Sequence, residues 1–164
     1  MNCQPPGFSP AGQVDSAYLS KSPPPFLRQR RYSGRRAEGV RYERKVQEHL
    51  QALFPETYMP SPWFRFQSEG KWRWCQPDGL LIDLAQGKIT CVEVKYSHTV
   101  LAWWQTRRLY MPVLEKCFPP HLWRFEVCEV VKWYDPAIQL PEPHILAAEV
   151  DQVSEKFKVH IWKP

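Results

Sequence analysis

Two carboxylates and one ammonium group lie close together in the middle of this sequence. Asp78 stands between a proline and a glycine, and Glu93 and Lys95 follow in a stretch of apolar, β-branched residues. Because alternate residues of a strand share a face, Glu93 and Lys95 would point the same way as Ile89 and Cys91. Charged side chains on a covered strand are costly unless they are paired or bind an ion. The pattern therefore indicates a site.

The chemistry expected of this site is metal-assisted hydrolysis of a phosphodiester. A hairpin through the turn AQGK would bring Asp78 and Glu93 side by side, where they repel each other unless a cation neutralises them. Oxygen ligands, to which the carbonyl of Val94 would add one, favour Mg²⁺ or Mn²⁺. Such an ion polarises a phosphoryl oxygen and activates its bound water, while Lys95 would orient that water and stabilise the developing charge.

Each of these residues also has an ordinary structural interpretation. Pro-Asp-Gly is a common turn composition, so Asp78 by itself would be a turn residue. Glu93 and Lys95 could form an ion pair on an edge strand, which contributes little to stability. The apolar residues around them favour a central strand instead, covered on both faces.

The aromatic residues and histidines are interpreted as structural. Trp72 and Trp74 alternate as packing residues do, and Trp103 and Trp104 are expected in the core or an interface rather than as base-stacking platforms. His98 is interpreted as a surface histidine. Five cysteines without a Cys-x-x-Cys pair disfavour a zinc site or a disulfide framework.

The elements that must position the site follow from the apolar periodicity. A helix with one apolar stripe is predicted from after Ser33 to before Pro55. A second helix is expected, capped by Thr99 or Ser97 and kinked at Pro112. Strands are predicted over 63–67, 72–84 (interrupted by a bulge or kink at 77–79), 89–97 and 122–134. Residues 135–145 would form a loop, followed by a short helix and an edge strand. The predicted class is α/β, with an α-β-β-β-α-β core and a central mixed sheet flanked by helices.

Positive charge is concentrated near the N-terminus. Residues 21–45 contain nine basic side chains against two acidic ones, in a chain of net charge +5. Such a patch suits a polyanion, because each neutralised phosphate releases counterions, although a solubilising tail is the alternative. Residues 1–32, rich in Pro, Ser and Gln, are predicted to form a disordered or loosely docked arm, and 33–164 a single domain. The expected phosphate contacts are Arg30, Arg31, Arg35, Arg36, Arg41 and Arg44.

Targeting signals are not evident. No apolar run approaches the ~18 residues of a membrane span, and the N-terminus lacks the basic and apolar parts of a secretory signal. A cytoplasmic protein without a membrane partner is expected.

The stretch around Asp78 reads QPDGLLID, and the next predicted strand contains CVEVK. Together they resemble the two halves of the signature of the PD-(D/E)XK nuclease superfamily, which includes restriction enzymes, Holliday-junction resolvases and recombination exonucleases. The resemblance covers about residues 38–133. It implies a restriction-endonuclease-like core in which Asp78 and Glu93 hold Mg²⁺ and Lys95 assists the attacking water.

The resemblance also implies roles for residues of the two helices. Glu43 matches a helix glutamate that reaches the metal in several branches. Gln105, Arg108 and Tyr110 look like the Gln-and-Tyr helix of the exonuclease and resolvase branches, with Gln105 catalytic and the other two contacting nucleic acid. Tyr110 follows Gln105 by five residues, where the exonuclease pattern usually has four.

The prediction is a Mg²⁺- or Mn²⁺-dependent deoxyribonuclease, structure-selective or non-specific, since no element for base readout is evident. By analogy, a compact stand-alone domain suits a phage or mobile element in a bacterial or phage-infected cell. Two alternatives stay open: an inactive nucleic-acid-binding module of the same fold, and a protein-interaction factor recruited through the Pro-rich arm. A homodimer also stays open, because a junction resolvase must cut two strands.

Overall fold

A computed structural model describes residues 13–146 and 157–164, which form helices and two sheets. The elements are β1 Val14–Ser20, α1 Gly34–Leu53, β2 Tyr58–Pro60, β3 Trp63–Ser68, β4 Lys71–Cys75, β5 Gly79–Asp83, β6 Lys88–Ser97, α2 Val100–Gln105, a π-helical turn Thr106–Tyr110, α3 Met111–Cys117, β7 Arg124–Trp133, β8 His144–Leu146 and β9 Phe157–Ile161. The larger sheet has the strand order β2-β5-β6-β7-β9-β8, and the smaller has the order β1-β3-β4.

The larger sheet is mixed. Strands β2 and β5 pair in antiparallel fashion, as do β5 and β6, whereas β6, β7, β9 and β8 run parallel. Every residue of β6 from Ile89 to Val94 is buried, as expected for a strand covered on both faces. The α/β class with a central mixed sheet is confirmed, and the edge-strand interpretation of Glu93 and Lys95 is wrong.

Strand β6 separates two apolar clusters. Ile89 and Cys91 belong to the larger cluster, with residues of α2, the π-helical turn and α3. Val92 and Val94 pack on the other face of the sheet against Tyr42 and Val46 of α1. The predicted alternation along β6 is therefore confirmed, and helices cover both faces of the sheet.

The two helical segments differ in regularity. Helix α1 begins directly after Ser33, as predicted. The segment from Val100 to Cys117 is helical throughout, and the side chain of Thr99 accepts a hydrogen bond from the Leu101 N–H (3.2 Å) at its start. Pro112 lacks an N–H for the helical ladder, and a π-helical turn precedes it. Within the described ranges, no helix has the length and hydropathy needed to cross a bilayer.

Three predictions about segments outside the core need correction. Residues 14–20 of the arm predicted to be disordered or loosely docked form the regular strand β1, which pairs with β3 and buries Val14. Residues 144 and 145, predicted as loop, belong to β8, which covers β9, so β9 is not the edge strand. Both strands depend on distant partners that local periodicity does not show. Residues 1–12, and the short helix predicted before β9, which falls within 147–156, lie outside the described residues.

The chain changes sheets at residues 76–78. The sequence predicts one strand with a bulge there, but β4 ends in the smaller sheet and β5 begins in the larger one, with a regular register against β6. A Cβ atom at Gly79 would lie 2.5 Å from the ring of Tyr58. Glycine at this position is therefore required by the close approach of Tyr58, and the pairing of β2 with β5 depends on it.

Candidate active site

Asp78 lies where the chain passes from the smaller sheet to the larger one, and hydrogen bonds fix both its carboxylate and its backbone carbonyl. Its Oδ2 accepts the Val94 N–H at 2.7 Å. Its backbone carbonyl accepts the Ser61 N–H at 2.9 Å and the side-chain amide of Gln47 at 3.1 Å. Asp78 is therefore fixed by tertiary contacts and is more than a turn residue. Sequence reasoning missed Gln47, whose anchoring role depends on the packing of α1.

Glu93 points from β6 into the interior beside Asp78. Its side chain is almost fully buried, with a residue exposure of 1%. Oε1 accepts a hydrogen bond from Lys95 Nζ at 2.6 Å. Oε2 is buried and has no hydrogen-bond partner among the described residues. A buried carboxylate oxygen without a donor is unusual, and it is available to a ligand.

Val94 contributes backbone groups between these side chains. The antiparallel pairing of β5 and β6 ends at Gly79 and Val92, so Val94 lies just beyond it. In an antiparallel ladder the N–H and C=O of one residue point to the same neighbour. Since the Val94 N–H binds Asp78, its carbonyl is expected to point toward the same edge, and its role as an oxygen ligand stays a prediction.

Burial and mutual repulsion raise the pKa values of the acidic groups. Burial, with the charge of Asp78 added, raises the pKa of Glu93 to about 8. Burial and Asp78 also raise the pKa of Glu43 to about 7. For Asp78 itself, burial raises the pKa despite the opposing effects of the Val94 N–H and Lys95. The metal-free site therefore holds protons near neutral pH, which a bound cation would displace.

The pKa of Lys95 is raised as well, but by the neighbouring carboxylates rather than by burial. Burial by itself would lower the pKa of its ammonium group, but the carboxylates of Glu93, Asp78 and Glu129 hold that pKa above its usual value. Lys95 therefore stays charged at neutral pH and is directed at Glu93.

Glu43 approaches from α1, on the face of β6 opposite to Glu93. It is half-buried, and its Oε1 accepts a 3.4 Å hydrogen bond from Gln47. The charges of both Asp78 and Lys95 act on its pKa, which places it at the margin of the site. The structure gives it no direct contact with Asp78 or Glu93.

The donor set suits a hard divalent cation. In the part of the chain that the structure describes, no three His, Cys, Asp or Glu side chains are grouped as a metal cluster. Asp78, the unpartnered Oε2 of Glu93 and the Val94 carbonyl would instead form a small oxygen site. Mg²⁺ is commonly bound by one or two carboxylates and keeps several waters. These residues fit such an ion.

The π-helical turn accounts for the unusual spacing of Gln105 and Tyr110. Its hydrogen bonds join residues five apart, so one turn contains one residue more than an α-helical turn. Tyr110 therefore lies about one turn beyond Gln105 despite the longer spacing. The Tyr110 hydroxyl donates to the Gln76 carbonyl at 3.0 Å. Tyr110 is buried, so it holds the chain that leads into Asp78 and is not placed to contact nucleic acid. Gln105 is half-buried and has no hydrogen bond to the described residues.

The arginines expected to bind phosphate lie on the surface. Arg44 pairs with the exposed Glu48 at 3.1 Å, and Arg36 lies over the ring of Tyr32. Arg108 is exposed and contacts the ring of Trp104, whose burial with that of Trp103 agrees with a core role. The six predicted phosphate contacts before and on α1 are all exposed: Arg30, Arg31, Arg35, Arg36, Arg41 and Arg44.

A second buried polar pair lies next to the site, and the sequence did not reveal it. Glu129 of β7 is directly opposite Glu93 in the parallel register. Glu129 Oε2 lies 2.6 Å from Nδ1 of His98, whose exposure is only 3%. The interpretation of His98 as a surface residue is therefore wrong. A parallel register is decided by tertiary structure, so spacing along the chain carries no signal for this pair.

Comparison with family models, curated proteins and solved structures finds no match to this chain. The function must therefore be inferred from the site itself.

Proposed function

We propose that this protein is a metal-dependent deoxyribonuclease of the PD-(D/E)XK type. The observation that carries the proposal is the buried Glu93, with one oxygen bound to Lys95 and the other without a partner, beside an Asp78 held by the Val94 N–H. A structural ion pair would satisfy both oxygens, since unsatisfied buried acceptors are destabilising. A site built to receive a cation leaves one open.

The arrangement of elements supports this class. A β5–β6 hairpin carries the two carboxylates, a helical crossover leads from β6 to the parallel β7, and α1 covers the opposite face. This is the order expected for a restriction-endonuclease-like core.

The residues of the chain divide the work between them. Mg²⁺ or Mn²⁺, when bound, would polarise the scissile phosphate and lower the pKa of a coordinated water. Asp78 and Glu93 would hold the cation, and the Val94 N–H keeps Asp78 in place. Lys95, held by Glu93, donates hydrogen bonds to the attacking water and stabilises the negative charge that develops on the phosphorane oxygens. The charge of Glu43 acts on Asp78 and Lys95 from the margin of the site.

The expected substrate is DNA held by its backbone. The exposed arginines of α1 suit phosphates, and such contacts carry no sequence information. Cleavage that depends on the structure of the DNA, or that is non-specific, is therefore expected.

Nicking of supercoiled plasmid in Mg²⁺, Mn²⁺ or EDTA tests the proposal. Lys95→Ala and Glu93→Gln are each expected to lower the nicking rate by roughly 10²- to 10⁴-fold, because the loss falls on transition-state stabilisation. The control is Glu126→Gln, which removes another carboxylate of the sheet that is paired with a lysine (3.0 Å to Lys158) and should cut at the wild-type rate.

Metal-independent nicking, or equal nicking by all the variants, would remove these residues from the mechanism. DNA binding without any cleavage would favour the inactive nucleic-acid-binding module.

A further inference from the structure

The outer face of the smaller sheet carries aromatic and basic side chains. Strand β3 buries Phe64 and Phe66 toward the core. The alternate residues face outward, and the register aligns Arg65 with Trp74 and Gln67 with Trp72. Trp72 is 46% exposed, so its interpretation as a packing residue is wrong. The alternation is real, but the tryptophans occupy the solvent side.

Arg65 lies among these rings. Its guanidinium carbon is 4.8 Å from the centroid of the Trp72 ring and 5.7 Å from that of Trp74. Nη1 donates to the Tyr18 hydroxyl at 3.3 Å, but Nε is buried and has no hydrogen-bond partner in the described part of the chain. No carboxylate of the described residues forms an ion pair with Arg65. A guanidinium positioned by indole rings and left unneutralised is suited to an anionic ligand that also stacks.

An open groove runs along this face. Its volume is about 560 Å³, and it is lined on one side by Trp63, Arg65, Arg73 and the two β4 tryptophans, and on the other by residues 24–27. Phe26 on the second wall is 69% exposed. The planes of the Trp63 and Trp74 rings are inclined at 82° to each other, so the aromatic surface is stepped rather than flat.

The groove lies next to the candidate active site along the chain. Trp74 precedes Asp78 by four residues, so their Cα atoms are at most ~14 Å apart. A strand of nucleic acid has one phosphate per ~3.4 Å when stacked. A strand bound to the tryptophans therefore needs only a few more nucleotides to span the distance to Asp78.

We propose that this face binds single-stranded DNA, so that the substrate is a DNA with a single-stranded branch or end beside the cleavage point. Bases stack on aromatic side chains without regard to sequence, and arginine binds the backbone. A proline-rich peptide also suits an aromatic groove, but it would not use the uncompensated Arg65, and prolines of this chain already form one wall. The role in cleavage rests on the proposed function, whereas the binding does not.

The test measures binding in EDTA, where cleavage does not interfere. Fluorescence anisotropy with labelled oligo(dT) of about 12 nucleotides, a length within the range of known single-strand sites, gives the affinity. Trp72→Ala and Arg65→Gln are each expected to weaken binding about 10-fold. Trp72→Phe should restore most of the affinity, because stacking is kept. Quenching of tryptophan fluorescence by the oligonucleotide should diminish in Trp72→Ala.

Trp133→Ala provides the matched control. Trp133 is 48% exposed and its ring also contacts lysine side chains, but it lies in the larger sheet. This variant should bind oligo(dT) like the wild type. Unchanged binding by Trp72→Ala, an equal loss in Trp133→Ala, or capture of a proline-rich peptide in preference to oligo(dT) would overturn the inference.

The two proposals fail separately. If Lys95→Ala cuts plasmid normally but Trp72→Ala loses oligo(dT), the nuclease mechanism fails and the binding face stands. If metal-dependent nicking is confirmed but Trp72→Ala binds oligo(dT) normally, only the binding face fails.

Discussion

Strand β4 and the start of β5 follow each other in the chain, yet the charged groups around them lie in opposite environments. At the start of β5, Asp78 and Glu93 are withdrawn from water with only Lys95 to compensate them. Across from β4, Arg65 of β3 lies between the exposed Trp72 ring and the half-buried Trp74 ring. Under the two proposals, the first region would hold a cation and the second an anionic ligand. Two adjoining segments would then divide the tasks of holding a metal and holding DNA.

The largest expected effect comes from the joint between the two regions. Gly79→Ala would place a methyl group 2.5 Å from the Tyr58 ring, and overpacking of this kind costs about 1–3 kcal/mol. It should also displace Asp78, whose carbonyl receives the Tyr58 hydroxyl at 3.5 Å. The urea concentration at the midpoint of unfolding and the rate of plasmid nicking should therefore both fall.

Gly39→Ala is the control for this prediction. Gly39 lies within α1 and its Cβ would meet nothing within 4 Å. Alanine there should stabilise the protein by roughly 0.5–1 kcal/mol through helix propensity. If Gly79→Ala is as stable as Gly39→Ala, the two regions are not joined as tightly as described.

A smaller effect is expected from pH and metal. The carboxyl pKa values of Glu93 (about 8) and Glu43 (about 7) exceed their ordinary value of 4.5. The folded state therefore holds protons that the unfolded state has already lost, so stability of the metal-free protein should fall as the pH rises from about 4.5 to about 8. Mg²⁺ neutralises the ionised carboxylates and should raise the melting temperature more at the alkaline end.

Calorimetry with EDTA or Mg²⁺ at both ends of this range checks the prediction. Asp78→Asn removes one repelling charge, so its metal-free form should melt higher than the wild type and respond less to Mg²⁺. A melting temperature that is insensitive to Mg²⁺ at all pH values would argue that the acidic region binds no cation.

The smallest effect is expected from Glu43→Gln. Since Glu43 acts on the site only through space, the variant should need more Mg²⁺ for half-maximal nicking but reach a similar rate at saturation. A titration of nicking against Mg²⁺ measures this, with Glu48→Gln, an exposed glutamate of the same helix, as the comparison. An unmoved curve would make Glu43 a structural residue only.

Local patterns were informative wherever periodicity sets the structure. The bounds of α1 and the burial of β6 follow from apolar spacing, because a helix and a covered strand each leave a repeating signature. The same patterns did not indicate which elements pack against each other. The alternation of Trp72 and Trp74 suggested packing, but which face of β4 they occupy depends on where the smaller sheet packs.

The sequence by itself determined that Asp78, Glu93 and Lys95 are candidates for one site, since their spacing on two successive strands needs only a hairpin. Tertiary structure decided how that site is held: the Val94 N–H on Asp78, the amide of Gln47 from α1, and Glu129 beside Glu93. These contacts join residues from separate elements, and their geometry depends on strand register and helix packing. Neither quantity is encoded in the periodicity of any one segment.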